Sequence, residues 1–269
     1  MTISINNYNQ AVNSTQNAIS TSIKRIATGS QYNSPSDGAA AYSILARMYS
    51  NIDTAATQTS NAQNSSAMLS TAADGVTSTM SVLDNMRSSL TDLLNSPTGS
   101  SRFQQVNKEI SDSISQVDAL GSAVQFNGKS LLDGTQSTTV SNGSGGYASV
   151  AMPNLTSQAL GLTDKNGKST LDLSSTDGIQ KALDTVSNAY DTALSAATSL
   201  GAAQQNLTYS AANSTTTAEN LTSAASTMGD TDIAKEVTNL KSAQTQNAFA
   251  LFASKLNMHS REAALSMLQ

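Results

Sequence analysis

Leu69, Val76, Leu83 and Leu90 stand seven residues apart, and Ala73, Met80 and Leu94 fill the offset position, with Arg87 interrupting it. An apolar residue recurring at this spacing marks a long helix that buries one narrow stripe against another helix. The pattern then returns. Phe103, Ile110, Val117 and Val124 repeat the seven-residue step, flanked by Val106, Ile114 and Leu120. The turn cluster NSPTGSS (Asn95–Ser101) separates the two runs, which predicts an antiparallel helical hairpin. Farther on, Ile179, Val186, Ala193, Leu200, Leu207, Leu221 and Met228 hold one register, broken only by Ser214. At 1.5 Å per residue that register describes a helix roughly 75 Å long. The candidate packing residues of a helical rod are therefore Leu69, Val76, Leu83, Leu90, Ile110, Val117, Ile179, Val186, Leu200 and Leu207.

Weaker seams flank the rod. Near the N-terminus Val12, Ile19, Ile23 and Ile26 follow one another at steps of seven, four and three. Gly29 and the segment NSPSDG (Asn33–Gly38) end that helix. Pro35 disfavours helix at the residue before it, and Ser36 or Asp37 is suited to cap the next helix, AAAYSILARM. At the other end MGDTD (Met228–Asp232) is a break, followed by Ile233, Val237, Leu240, Ala248, Leu251, Phe252 and Leu256 on a terminal amphipathic helix. Residues 127–176 lose the helical period. Asn-Gly turns recur there, and the short runs YASVAM and TLDL predict strands of a small β-element. The expected layout is a mainly α chain: a long antiparallel, coiled-coil-like rod, a small β-hairpin element at mid-chain, and paired N- and C-terminal helices. Its segments are 1–36, 37–126, 127–176, 177–229 and 230–269.

Composition agrees with extended helical seams. Of the 269 residues, 38% are hydrophobic, 4% aromatic and 12% charged, and Trp is absent. Globular domains carry about 25% charged residues, so Ser, Thr, Asn and Gln must cover this surface. Net charge is −5 with no basic stripe, which argues against nucleic acid as a partner. No apolar run approaches the roughly 20 residues of a membrane span, and the N-terminus lacks the pattern of a cleaved secretory signal. The chain has no Cys, which removes disulfides, thiolate nucleophiles and thiolate metal sites together.

The candidate chemical groups favour structural roles. His259 is the lone histidine and no HExxH motif accompanies it, so a surface or packing role is expected. The acids of GDTD with Glu236 suit a helix N-terminus better than a metal. NGSGG lacks the Lys-Ser/Thr of a phosphate loop and reads as a turn. Met68, Met80, Met86 and Met228 read as packing residues. Lys24 and Arg25 leave open a contact to another subunit or a solvated charge pair. No catalytic residue, cofactor or metal is expected.

Three segments resemble the bacterial flagellins. IKRIATGSQYNSPSDGAAAYSILARM (Ile23–Met48) resembles the family stretch RLSSGxRINSAxDDAAGxAI. VDALGSAVQFNGKSLLDG (Val117–Gly134) is similar to the family's FNGxxLLDG region. LGAAQQNLTYSAANSTTTAENLTSAASTMGDTDIAKEVTNL (Leu200–Leu240) resembles LGAxQNRL followed by SRIxDxDxAxE. The resemblance implies a subunit of the flagellar filament, exported unfolded through the flagellar type III channel. It implies polymerisation beneath a cap into an extracellular tube that serves motility. Terminal helices would line the lumen, assigning Val12, Ile19, Ile23, Ile26, Ile233, Val237, Leu240, Leu251, Phe252 and Leu256 to polymerisation and lumen packing. The implied partners are copies of itself, other flagellins, the filament cap, hook-associated proteins and an export chaperone, with no nucleic acid and no membrane insertion. Residues 127–176 leave room only for the hairpin region, so a short form without large outer domains is implied.

The departures from the family pattern lie toward the ends. The N-terminal arm is shorter and unusually polar (NNYNQ), and MHSRE stands where the family has Pro-Gln. The stretch that resembles the family's contact for an innate immune receptor, LQRVREL, reads LDNMRSS (Leu83–Ser89) here. Arg87 fits that contact and Glu109 fits a second receptor contact, while Asn85, Ser88 and Ser89 depart, which implies weakened receptor activation. A lone amphipathic helix cannot bury its own face, so the terminal helices are expected to be disordered in the monomer and to fold on assembly. Two rival readings are a hook–filament junction protein, with similar terminal helices, and a secreted enzyme on a helical stalk. The FNG…LLDG and GDTD segments disfavour the first, and the missing catalytic constellation disfavours the second.

Overall fold

The structure, a computed structural model, describes residues 2–96, 101–141 and 147–266. Its helices are α1 (Thr2–Thr28), α2 (Ala39–Leu94), α3 (Ser101–Ala123), α4 (Thr176–Gly229) and α5 (Ile233–Ser266). Between α3 and α4 lie two short antiparallel ladders: β1 (Gln125–Phe126) with β2 (Lys129–Ser130), and β3 (Ser137–Ser141) with β4 (Tyr147–Ala151). Among the described residues no helix is long and apolar enough to cross a membrane. The chain forms two compact units. One is Thr54–Thr217; the other joins Met1–Asp53 to Ala218–Gln269.

In Thr54–Thr217 the heptad seams of α2, α3 and α4 meet in one continuous core. Leu69, Val76, Leu83 and Leu90 have no exposed surface, and Ile110, Val117, Ile179, Val186, Leu200 and Leu207 are buried with them. Lateral contacts give the directions. Arg102 reaches Asp92 at 3.2 Å and Ser89 donates to Glu109 at 3.5 Å, so α2 and α3 run antiparallel. Ser214 donates to Gln58 at 3.3 Å and Arg87 lies against Tyr190, so α2 and α4 are antiparallel too. That bond also accounts for the break in the α4 register: Ser214 is buried in the seam and its hydroxyl is satisfied across it. Arg87, the interruption in α2, is exposed and places its guanidinium 5.6 Å from the centre of the Tyr190 ring.

One residue that the heptad pattern did not single out is required by packing. Gly75 lies buried in mid-α2, where glycine is costlier than alanine by roughly 0.5–1 kcal/mol. A Cβ there would stand 2.7 Å from Val124 Cγ2 and 2.9 Å from Leu132 Cδ1. The chain leaving α3 returns over this turn of α2, and only a glycine leaves it room.

That return is the hairpin expected at FNGKSLLDG. Asn127 and Gly128 take φ of +51° and +76°, the left-handed pair of a type I′ turn joining β1 to β2. Leu131 and Leu132 then enter the core. A polar clasp holds the following loop to α3. The Asp118 carboxylate accepts the Ser157 backbone N–H at 2.9 Å and its hydroxyl at 2.7 Å, and Ser157 in turn meets Thr163 at 2.8 Å. YASVA forms β4, but TLDL does not form a strand. Asp172 accepts the N–H and hydroxyl of Ser174, a side-chain turn that ends any extended run, and Leu173 is buried in the common core. Backbone or hydroxyl donors of this kind hold the Asp133, Asp164 and Asp172 carboxyls below ordinary aspartate values.

In the other unit the two helix breaks are sewn together. Gly29, at φ +68°, closes α1, and its carbonyl accepts Thr231 N–H at 2.8 Å. Gln31 N–H donates to Gly229 O at 2.7 Å, and Leu45 packs on Gly229, where a Cβ would come within 3.0 Å. The start of α2 differs from the expected cap. Ser34, Pro35 and Asp37 form a capped 3-10 turn in which the Asp37 carboxylate accepts the N–H groups of Asn33 and Ser34, and Gly38 O accepts the first bond of α2. Pro35 makes this turn because its fixed φ suits a first helical position. Hydrogen bonds from Ser34 hold the Asp37 carboxyl below its usual range.

Candidate assembly surface

α1 and α5 pair antiparallel, since Thr15 meets Asn247 and Arg25 meets Glu236. Asn247 Nδ2 donates to Thr15 Oγ1 at 2.8 Å and lies 3.4 Å from Val12 O. Arg25 lies 3.8 Å from the nearly buried Glu236 carboxylate, which also accepts Asn239 Nδ2 at 3.1 Å. Arg25 therefore has an intrachain partner. The carboxylates of GDTD also have ordinary tasks: Asp232 caps α5 by accepting Lys235 N–H at 3.1 Å, and Asp230 accepts the Ser226 hydroxyl. His259, exposed, lies 3.6 Å from Glu262.

The seam of this pair is small and polar. Among the described residues its buried ones are Ser22, Glu236 and Ala243. Most of the large apolar side chains of α5 lie elsewhere. Of the residues assigned to polymerisation, Val12, Ile19, Ile26 and Leu240 are half-buried, while Ile23, Ile233, Val237, Leu251, Phe252 and Leu256 are exposed. The structure adds Phe249, 69% exposed, and Ile44, Tyr49 and Met258. Phe249 escaped the sequence reading because it sits between two heptad positions. Phe249 and Phe252, with Gln244, Thr245 and Ala248, line an open groove of about 600 Å³. Charge is scarce on these helices: residues 2–23 carry none, nor do residues 242–254. Such a surface is able to bury itself against a neighbour without stranding ions.

Arg87 and Glu109 belong to the other unit. Glu109 accepts Gln105 Nε2 at 3.0 Å, and Arg87 remains exposed over Tyr190.

Comparison with known proteins adds the ancestry. The family model for the bacterial flagellin N-terminal helical region matches residues 2–137, and that for the C-terminal helical region matches residues 183–261. The phase 2 flagellin of Salmonella abortus-equi is 28% identical over 170 residues, covering 62% of this chain and 34% of that protein. The phase 2 flagellin of Salmonella typhimurium LT2 is 28% identical over 173 residues, covering 64% and 34%. The match thus spans about a third of the relatives' length, 34% in both. The crystal structure of Bacillus cereus flagellin shares the fold, with TM-score 0.50 at 17% identity, over 58% of this chain and 88% of that one.

Proposed function

Because this chain belongs to the bacterial flagellin family, a family of structural proteins and not enzymes, we propose that it is a subunit of an extracellular flagellar filament. One observation carries the reading. The large exposed apolar side chains concentrate on the unit built from the two chain ends, whose α1–α5 seam fully buries only Ser22, Glu236 and Ala243 among the described residues. A monomer gains little from that pair, and a repeating heterologous contact would bury what it leaves open. The chain would leave the cell unfolded through the flagellar export channel with a chaperone, meet hook-associated proteins and the cap, and elongate by adding copies of itself or of other flagellins. The junction-protein alternative predicts limited self-assembly at every seed condition.

Seeded elongation tests this. Purified chain with short filament seeds is expected to grow long tubes under the electron microscope, with a gain in helical circular dichroism as the end helices order. A chain that stays monomeric at constant helicity would remove the filament-subunit reading. For the immune receptor, the departures at Asn85, Ser88 and Ser89 support weak recognition. Purified monomer is expected to give little signal in a receptor reporter assay, and strong signalling would overturn that expectation.

A further inference from the structure

Two large apolar side chains of Thr54–Thr217 are exposed among the described residues, Leu194 and Tyr209, both on α4. Tyr209 is the more open, at 65%. It stands in a stretch of α4, residues 192–218, that carries no charge. Holding a ring out in water gains the monomer nothing, and no charge on that stretch opposes burying it. The same unit holds a groove of about 410 Å³ between α2 and α4, lined by Thr77, Met80, Ser81, Asp84, Tyr190 and Ala197. Met80, Tyr190 and Ala197 are half-buried and supply apolar walls, and Arg87 stands over the Tyr190 ring. Thr77, Ser81 and Asp84 are exposed at the rim. A buried tyrosine needs a partner for its hydroxyl, and a carboxylate such as that of Asp84 accepts the stronger, charge-assisted bond.

Tyr209 cannot reach this groove in its own chain. It lies twelve residues past Ala197 and nineteen past Tyr190 on one continuous helix. At 1.5 Å per residue the separation is roughly 18–29 Å. At about 3.5 residues per turn along a heptad seam, both steps leave a remainder of nearly half a turn, so ring and groove lie on opposite flanks of α4. We infer that the Tyr209 ring of one copy seats in the α2–α4 groove of the next, with its hydroxyl donating to Asp84. The inference rests on the filament-subunit reading and names a contact for it on the unit that is not built from the chain ends. Opposite flanks exclude a two-fold pair, in which one face must carry both ring and groove, and make the contact heterologous. The lengthwise offset carries each added copy along the rod, so the series winds into a helix and does not close as a ring of subunits. One tyrosine buries about 150–250 Å², against about 1,200–2,000 Å² for a stable pair of proteins. The contact therefore leaves the soluble chain monomeric and acts once the end helices of neighbouring copies engage.

The test introduces Tyr209→p-benzoylphenylalanine, which keeps an aromatic side chain at this position and joins a neighbouring C–H group on near-ultraviolet irradiation. Irradiated filaments grown from seeds are expected to give crosslinks between copies, placed by mass spectrometry in residues 77–84 or 190–197, and the irradiated soluble chain is expected to give none. Tyr209→Ala, and separately Ser81→Trp, which sets an indole in the groove, are each expected to raise the critical concentration about 10- to 100-fold, the scale of one buried ring. Both change exposed positions, so the thermal unfolding midpoint should stay within about 2 °C of the parent. Because each removes the same contact, the double variant is expected within about threefold of the worse single one. Filament crosslinks to other segments would overturn the pairing. So would a critical concentration for Tyr209→Ala within about twofold of the parent, or effects of the two variants that multiply. A parent chain that never elongates from seeds removes the filament reading and the pairing with it, whereas a parent that elongates with crosslinks elsewhere removes the pairing alone.

Discussion

Replacing Phe249 and Phe252 together by aspartate is expected to abolish seeded elongation while leaving the unfolding of Thr54–Thr217 where it was. The two rings are 69% and 62% exposed, so the monomer loses almost no burial when they go. A filament contact would lose two buried aromatics, each contributing about 1.5–3 kcal/mol. It would also have to desolvate two unpaired carboxylates in a stretch of α5 that carries no compensating charge between residues 242 and 254, at several kcal/mol each. Either loss alone raises the critical concentration by more than about a hundredfold, and together they place it beyond any attainable protein concentration. Electron microscopy after seeding gives the assembly result, and thermal circular dichroism of the same samples gives the fold. Normal tubes from the double variant would show that this stripe is not an assembly contact. A drop in the main unfolding transition would show instead that the rings stabilise the monomer.

The contrast between the two units also explains how much the sequence revealed. The rod seams were legible because a strict seven-residue repeat and full burial coincide at Leu69, Val76, Leu83 and Leu90. The break after α1 was legible because Gly29 closes that helix in a left-handed turn and Pro35 sets the φ of the turn that follows, both by local sterics. Requirements set by distant chain were not. Gly75 resembles any tolerated helical glycine until Val124 and Leu132 come back across it. The bonds of Gly29 to Thr231 and of Thr15 to Asn247 join opposite ends of the chain. TLDL has a strand's alternation, yet a side-chain turn at Asp172 ends it as a loop. On α5 the heptad reading found Leu251 and Phe252 and assigned them to polymerisation, but nothing in it marked Asn247 and Glu236 as the side that faces α1. The seam is in fact the polar stripe, and the apolar one is left for other contacts.

Leu83→Ala is expected to have the largest effect on the monomer. Leu83 has no exposed surface and lies mid-seam in the core shared by α2, α3 and α4. Truncation there removes the transfer energy of the lost methyl groups and leaves a cavity whose walls are held by rigid neighbouring helices, at about 2–5 kcal/mol. For a unit of this size that lowers the unfolding midpoint by roughly 5–15 °C. Ile23→Ala, at a position 51% exposed, should move the same transition by no more than about 2 °C. The two variants are expected to exchange rank in assembly. Well below its lowered midpoint, Leu83→Ala retains every residue of the terminal helices and should still elongate from seeds, whereas Ile23→Ala should elongate more slowly. A midpoint for Leu83→Ala within a degree of the parent would mean that the heptad core is not what holds Thr54–Thr217 together. Equal assembly defects in both variants would mean that the two units do not divide stability and polymerisation between them.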